Sequence, residues 1–367
     1  MSGTSLDAID SVVADLDSEP FQIRAWHSHS IPSTIRDELE DLCQPGNDNL
    51  DRLGSADVVM GELFADTVLT LLNRAGLDAS QVTAIGSHGQ TLRHRPPATD
   101  RPHPFTLQVG DPNIIAARTG ITTVADFRRA DMAAGGHGAP LAPAFHKQAF
   151  SDTRENRVIV NIGGMANLTW LPTEGETLGF DTGPGNRLLD YWAQKHLNQA
   201  FDHNGQWASK YGVEEALLQS FLSHPFFRVR GPKSTGREIF NELWLEETLG
   251  RYEYTPDPGK IQSTLAALTV DTIVNAIAAL PAQADATYIC GGGAANSDLM
   301  NRLKSALSPI PVASTSSLGV DPDKVEALAF AWLAQRRIMG LAGNLPSVTG
   351  AKRPAILGGV YLPQPQG

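Results

Sequence analysis

Short apolar stretches that end in glycine-rich turns recur along this chain, and residues at helical spacing follow the turns. That succession confines the fold to mixed strands with helical cover. Residues 9–16 read as a strand. Residues 53–72 carry apolar side chains at helical spacing through Met60, Leu63, Phe64, Val68 and Leu71. Residues 82–85 and Phe105–Val109 look extended, Pro112–Thr119 is compatible with a helix, and 121–125 is strand-like again. A second start comes at 158–162, and a Gly-Gly turn leads from it into 167–171, the pattern of a hairpin. Asn186–Leu197, 213–222, 265–280, 299–307 and Val325–Ile338 are helical by period, with 288–290 as a buried strand between them.

The length of 367 residues suggests two domains. The expected division is 1–125 with about 345–367 as one α/β lobe, and 126–344 as a second α/β lobe with helical additions. Hydrophobic residues make up 41% and charged residues 19%, which excludes a charge-driven disordered chain. The net charge of −11 disfavours nucleic acid as a partner, yet it permits a small anion held by backbone N–H groups. Cys43 and Cys290 form no C-x-x-C pair, as expected of a reducing, cytoplasmic setting. No apolar run approaches the about 18 residues of a membrane span, so no membrane partner is expected. The ten histidines form no H-E-x-x-H set, and the G-x-S-x-G elbow of hydrolases is missing.

Met1-Ser2-Gly3-Thr4-Ser5-Leu6-Asp7-Ala8-Ile9-Asp10 places small and hydroxylated residues in a turn before a strand. Gly3 admits close backbone approach, the Thr4 and Ser5 hydroxyls can bind phosphate oxygens, and Asp7 and Asp10 can hold Mg²⁺ directly or through water. An ordinary polar turn is the alternative. The device repeats at 161–167, with Gly163 and Gly164, and at 180–186, with Asp181, Gly183, Gly185 and Asn186. There an acidic residue at an expected strand end precedes a helix start whose N–H groups would point at an anion; a turn cap is the alternative for Asp181. Gly291, Gly292 and Gly293 directly follow an apolar strand. They suit a flat surface for a nucleotide base, or else a tight strand-to-helix crossing.

The stretch 231–236 contains a Lys-Ser pair, but Pro232 stands where a phosphate loop needs glycine before its lysine, so that motif is rejected. No cluster reads G-x-G-x-x-G. Two polar stretches follow apparent strands, 86–91 and 126–131. From them His88, Gln90, Arg128 and Asp131 can bond a polar, acidic substrate, with Arg128 suited to a carboxylate or a developing phosphate charge. A surface ion pair is the preferred reading of Arg129 and Asp131. Glu326, at a helix start, either joins the site or complements the dipole.

Taken in order, 1–7, 86–91, 124–128, 161–164, 180–186, 231–238 and 290–293 resemble the anhydro-N-acetylmuramic acid kinase family, nearly end to end. The resemblance implies the two-lobed actin, hexokinase and Hsp70-like ATPase fold, ribonuclease H-like in topology, with ATP and Mg²⁺ in a central cleft that closes to exclude water. It also implies a peptidoglycan-recycling reaction in which 1,6-anhydro-N-acetylmuramic acid, ATP and water give N-acetylmuramic acid 6-phosphate and ADP. Asp181 then matches the base that activates water. Gly3, Thr4, Ser5, Leu6, Asp7, Ala8, Ile9 and Asp10 match the first phosphate-binding motif; Gly163, Gly164, Gly183, Gly185, Asn186 and Gly291 to Gly293 form the remaining nucleotide contacts. His88, Gln90, Arg128 and Glu326 match the substrate side, and a homodimer is expected.

The family usually carries several residues before Met-Ser-Gly-Thr-Ser that form a strand leading into the phosphate turn, and it usually has glycine where Ala8 stands. The short start keeps a second reading open, an inactive or regulatory nucleotide-binding relative. A third is a kinase of this fold in which Asp181 deprotonates an ordinary sugar hydroxyl directly.

Overall fold

The computed structural model describes residues 1–3, 6, 8–18, 21–44, 46, 49–97, 102–229, 233, 235–236, 239–251 and 256–363. The chain divides into two compact units, Met1–Phe145 with Glu326–Gly367, and His146–Val325. The first unit therefore extends past residue 126 and takes the chain back at 326 rather than at 345. The physical reason is a buried carboxylate. Asp131 accepts from the Gly138 amide at 2.7 Å, from Asn344 Nδ2 at 2.6 Å and from Thr349 Oγ1 at 2.7 Å, which ties both stretches to one core.

In chain order the first unit begins with β1 (Ala8–Asp15), β2 (Gln22–Ser30), α1 (Ser33–Cys43), α2 (Leu50–Ala75), β3 (Ile85–Gly86) and β4 (Gln90–Arg95). It continues with β5 (Phe105–Val109), α3 (Pro112–Thr119), β6 (Thr123–Ala125), α4 (Phe127–Ala133) and α5 (Ala142–Phe150), whose last turn enters the second unit. The strands β1 and β2 pair antiparallel, and β4 pairs with β5 in the same way. β6 lies parallel to β3 on one side. The helix α2 starts where Asn49 Oδ1 accepts the Asp51 and Arg52 amides, and it stops at Gly76 in a left-handed turn. Its face of Met60, Phe64 and Ala56 packs with Leu6, Ile9, Leu39, Val109 and Ile115 into the unit's core. Each such large side chain contributes about 1.5–3 kcal/mol of burial.

Among the described residues the far edge of β1 carries a short bridge, Ser2 opposite Ile9, with the Met1 carbonyl accepting the Asp10 amide at 2.8 Å. A cavity of about 720 Å³ borders that edge, lined by Val12, Ala14, Phe64, Leu71 and Ala334 among others.

The second unit holds β7 (Arg157–Ile162), β8 (Met165–Leu171), β9 (Leu178–Pro184), α6 (Asn186–Leu197), α7 (Glu215–Leu222), α8 (Glu242–Gly250) and α9 (Pro258–Ala278). After these come β10 (Ala286–Cys290), α10 (Ser297–Leu307) and β11 (Val312–Ser314). The chain returns to the first unit through α11 (Val325–Ile338), α12 (Pro346–Thr349) and β12 (Gly359–Tyr361), the last antiparallel to β6. The five strands of the second unit run in the order β11-β10-β7-β8-β9, with β7, β8 and β9 an antiparallel meander and β10 and β11 parallel to β7 and to each other. Numbered within the unit, that order is 3-2-1-4-5 read from β9, the ribonuclease H-like topology expected above.

The helix α9 packs on this sheet through buried Leu265, Leu268 and Ile273. Its apolar content bears on the membrane expectation. Among the described residues α9 alone is long and apolar enough to cross a membrane, although 72% of that stretch is buried in the protein. Thr264, Thr269 and Asp271 interrupt it, so no unbroken apolar run reveals it in the sequence.

Candidate active site

In the second unit, β7 and β10 run parallel with Asn161 beside Cys290, so both carboxyl ends open onto the same rim. That rim is where α/β sheets bind ligands. Three glycine-rich turns meet there because side chains are missing. Gly291 adopts φ +76°, and a Cβ on it would lie 2.3 Å from Asn161 Oδ1 and 2.9 Å from the Ile162 carbonyl oxygen. A Cβ on Gly293 would strike Ile162 Cγ2 at 2.3 Å, and one on Gly185 would sit 2.2 Å from the Gly163 carbonyl oxygen. The Asn186 side chain closes the junction by donating from Nδ2 to the Ile162 carbonyl at 3.1 Å.

This interlock answers two expectations. Gly163, Gly164, Gly185, Asn186 and Gly291 to Gly293 do come together. The amides at the start of α6, however, are already used: Gly185 and Arg187 donate to the Gly164 carbonyl at 3.0 and 3.2 Å, and Asn186 donates to Gly163 at 2.8 Å. They are not a free anion cradle. Gly183 is buried as well, packed toward Phe227 and Thr272. The face that stays open is smaller, formed by Gly163 and exposed Gly292. The nearest atom to an added Cβ there is 3.6 Å away in both cases, Met165 O and Asn186 Nδ2 respectively.

Asp181 lies within β9, opposite Asn167, and not at a strand end. The pairing slips between Ala166 and Asn167, so Thr182 is the extra residue of a bulge, a feature that re-aims neighbouring side chains. Thr182 points inward and donates its hydroxyl to the Ala166 carbonyl at 3.2 Å. Asp181 remains partly exposed. Its amide donates to the Lys233 carbonyl at 3.0 Å, and its Oδ2 accepts the Thr235 amide at 2.8 Å. Both of these bonds reach the stretch around 233–235. Lys233 and Thr235 went unassigned in the sequence, because rejecting a phosphate loop there left the stretch without a role.

In the first unit, Thr4, Ser5 and Asp7 lie outside the described residues. Gly3 is half-buried, and Leu6 and Ile9 are core side chains, 0% and 1% exposed, so neither offers more than backbone to a ligand. Among the described residues of this turn Leu6 is left-handed, at φ +57°, while Ala8 opens β1 in extended backbone, so alanine there carries no strain. Gln90 is spent inside the fold: its Oε1 accepts the Ser2 hydroxyl at 2.5 Å and its Nε2 donates to the Thr91 carbonyl at 3.2 Å. It supports the turn from behind.

Arg128 donates from Nη1 to the Gly138 carbonyl at 2.8 Å and approaches His88 Nε2 at 2.8 Å through Nη2. His88 packs on Phe330 at 4.6 Å between ring centroids. Burial, then the Arg128 charge, holds His88 well below the usual imidazole range, so it is the neutral acceptor of that guanidinium. Burial pushes the Glu326 carboxyl up, and Arg128 and the Met1 amine pull it back, while Asp10 adds to the upward push. Asp10, His88, Arg128 and Glu326 thus form one electrostatic group. Arg129 pairs with Asp126 at 3.6 Å on the surface. Asp131 corrects the surface reading, being fully buried.

Among the described residues no three His, Cys, Asp or Glu side chains cluster as metal ligands.

The family model for anhydro-N-acetylmuramic acid kinase matches residues 1–363. A Shewanella halifaxensis protein of that name is 50% identical over 362 residues, covering 98% of this chain and 97% of its own. One from Shewanella amazonensis is 52% identical over 359 residues, covering 98% and 96%, and one from Coxiella burnetii is 49% identical over 363 residues with the same coverage. Among solved structures, the chain is similar to the activator of 2-hydroxyisocaproyl-CoA dehydratase from Clostridium difficile with bound ADPNP, at 12% identity, a TM-score of 0.44, and 91% and 94% coverage. It is also similar to a ROK family glucokinase from Streptomyces griseus in complex with glucose and AMPPNP, at 12% identity, a TM-score of 0.39, and 90% and 97% coverage.

Proposed function

The chain belongs to the anhydro-N-acetylmuramic acid kinase family, and on that premise we propose that it uses ATP and water to convert 1,6-anhydro-N-acetylmuramic acid into N-acetylmuramic acid 6-phosphate and ADP. The observation that carries the reading within this chain is Asp181, a partly exposed carboxylate fixed by a backbone amide through Oδ2 beside a bulge. Asp181 takes a proton from water, and the water oxygen bonds to C1 of the sugar as the C1–O6 bond breaks. O6 then bonds to the γ-phosphorus, and the bridging oxygen leaves on ADP. A carboxylate suits the first step because it accepts a proton at neutral pH without placing a cation near ATP.

The second unit supplies a nucleotide surface at Gly163, Gly292 and the Asn186 side chain. In the first unit Gly3 and the backbone of residues 8–10 would serve the phosphates, and Arg128 and Glu326 hold the sugar, Arg128 being suited to the sugar's own carboxylate. Asp10, with Asp7, would hold Mg²⁺. Such an ion keeps mainly water and phosphate oxygens around it. When bound, Mg²⁺ supplies charge neutralisation at the phosphates. His88 holds Arg128, and Gln90 holds Ser2. The relatives described above all bear the kinase name, which gives the reading of an inactive relative no support. Cytoplasmic location and a homodimer complete the proposal; sedimentation velocity checks the latter.

Reaction in ¹⁸O-labelled water tests the mechanism. Label at the C1 hydroxyl is the expected outcome, and unlabelled product means direct transfer to a pre-existing hydroxyl. Asp181→Asn is expected to lower kcat by about 10²–10⁴-fold with ATP affinity near wild type. Full activity in that variant removes Asp181 from the role of base.

A further inference from the structure

The loop that fails as a phosphate loop has another place in the fold. The amide and Oδ2 of Asp181 are engaged by residues two apart, the Lys233 carbonyl at 3.0 Å and the Thr235 amide at 2.8 Å. The loop thus brackets both the main chain and the carboxylate of one residue. Lys233 also anchors the loop: its Nζ donates to the Phe226 carbonyl at 3.2 Å and lies 4.3 Å from the centroid of the Phe226 ring. Phe226 is buried and meets Phe227 and Phe240 edge-on at 5.6 and 5.5 Å, so the seat of the ammonium is set by a packed aromatic cluster. A cation over such a face, with a carbonyl acceptor, is held firmly.

We propose that Lys233 is a positioning residue for Asp181, holding the bracket in place while its positive charge acts on the carboxylate through space so that it stays a proton acceptor. The proposal rests on Asp181 being the water-activating base. The charge link runs both ways: burial lowers the Lys233 ammonium, and Asp181 pulls it back up. Across β8 the residue opposite Asp181 is uncharged Asn167, and on α9 Asp271 interacts with Glu215 and Arg302 instead. Among the described residues Lys233 is a cation whose charge is coupled to this carboxylate. A lysine of the usual phosphate loop contacts phosphate oxygens; this one spends its nitrogen inside its own unit and works through Asp181.

Profiles of kcat and kcat/KM against pH for wild type, Lys233→Met, Lys233→Arg and Asp181→Asn, with KM for ATP at each pH, test it. Removing the cation makes the anionic carboxylate harder to form. Lys233→Met is thus expected to move the acid limb up by about one pH unit and to lower kcat by up to about tenfold at pH values below the limb, with KM for ATP unchanged. Lys233→Arg keeps the charge and is expected to restore the limb. A merely structural lysine would lower rates at every pH without moving the limb, and that result, or an arginine variant displaced like the methionine one, overturns the proposal. Should Lys233→Met fail to fold by circular dichroism, Lys233→Gln is read against the same expectation, and the arginine profile decides alone if both fail. An active Asp181→Asn enzyme instead removes the base reading itself. An inactive one alongside an unmoved limb removes only the role of Lys233.

Discussion

A single carboxylate decides how the first unit is held together. Asp131 is fully buried, and its oxygens accept hydrogen bonds from Gly138, Asn344 and Thr349. Gly136 leaves room for it, since a Cβ there would lie 2.2 Å from Asp131 Oδ2. Asparagine has nearly the same shape but turns one acceptor into a donor, which must then face another donor. Asp131→Asn is expected to destabilise the unit by about 3 kcal/mol, read from urea unfolding. A loss under about 1 kcal/mol would mean the three donors find other partners. In the sequence this residue reads as half of a surface pair with Arg129, because an Asp two positions from an Arg is usually solvated. Its partners lie more than 200 positions away for Asn344 and Thr349, and no local pattern announces them.

Among the elements, legibility follows local signals. Helix α3 has Asp111 as its cap and Pro112 at its start with Gly120 at its end, and its bounds are read to the residue; so are those of α6, α11 and β5. The edge strand β2 escapes, since its QIRAWHSHS alternates exposed and half-buried residues around one buried His27 and shows little apolar period. The bulge in β9 escapes too, because Thr-Gly-Pro-Gly reads as a turn, and this places Asp181 at a strand end where none exists. The glycine clusters were legible as turns but not as an interlock, which depends on three turns distant in sequence. Two alanines separate these roles. Gly185→Ala forces a Cβ to 2.2 Å from a backbone oxygen that cannot yield, and is expected to cost about 1–3 kcal/mol and to weaken ATP binding by about tenfold. Gly163→Ala meets nothing closer than 3.6 Å and is expected to fold normally while weakening ATP. Thermal melts with ATP titrations check both; an undamaged Gly185→Ala protein refutes the interlock, and a Gly163→Ala protein with wild-type affinity moves the nucleotide off that face.

For the molecule as a whole, the balance of 29 basic against 40 acidic residues sets the field that an anionic nucleotide meets. A net charge of −11 repels ATP at long range, so on the proposed reading binding comes from short contacts: backbone N–H groups, an asparagine amide and a cation. Those contacts lie within a few ångströms and escape screening, whereas the repulsion spans more than the Debye length of about 10 Å at 0.1 M salt. Added salt therefore removes more of the repulsion than of the attraction. The affinity for ATP at saturating Mg²⁺ is expected to hold or to improve by about two- to threefold between 20 and 200 mM KCl, measured by isothermal titration. A tenfold loss over that range would be the signature of a broad cationic surface releasing counterions. It would contradict the local mode of anion binding that the acidic composition points to.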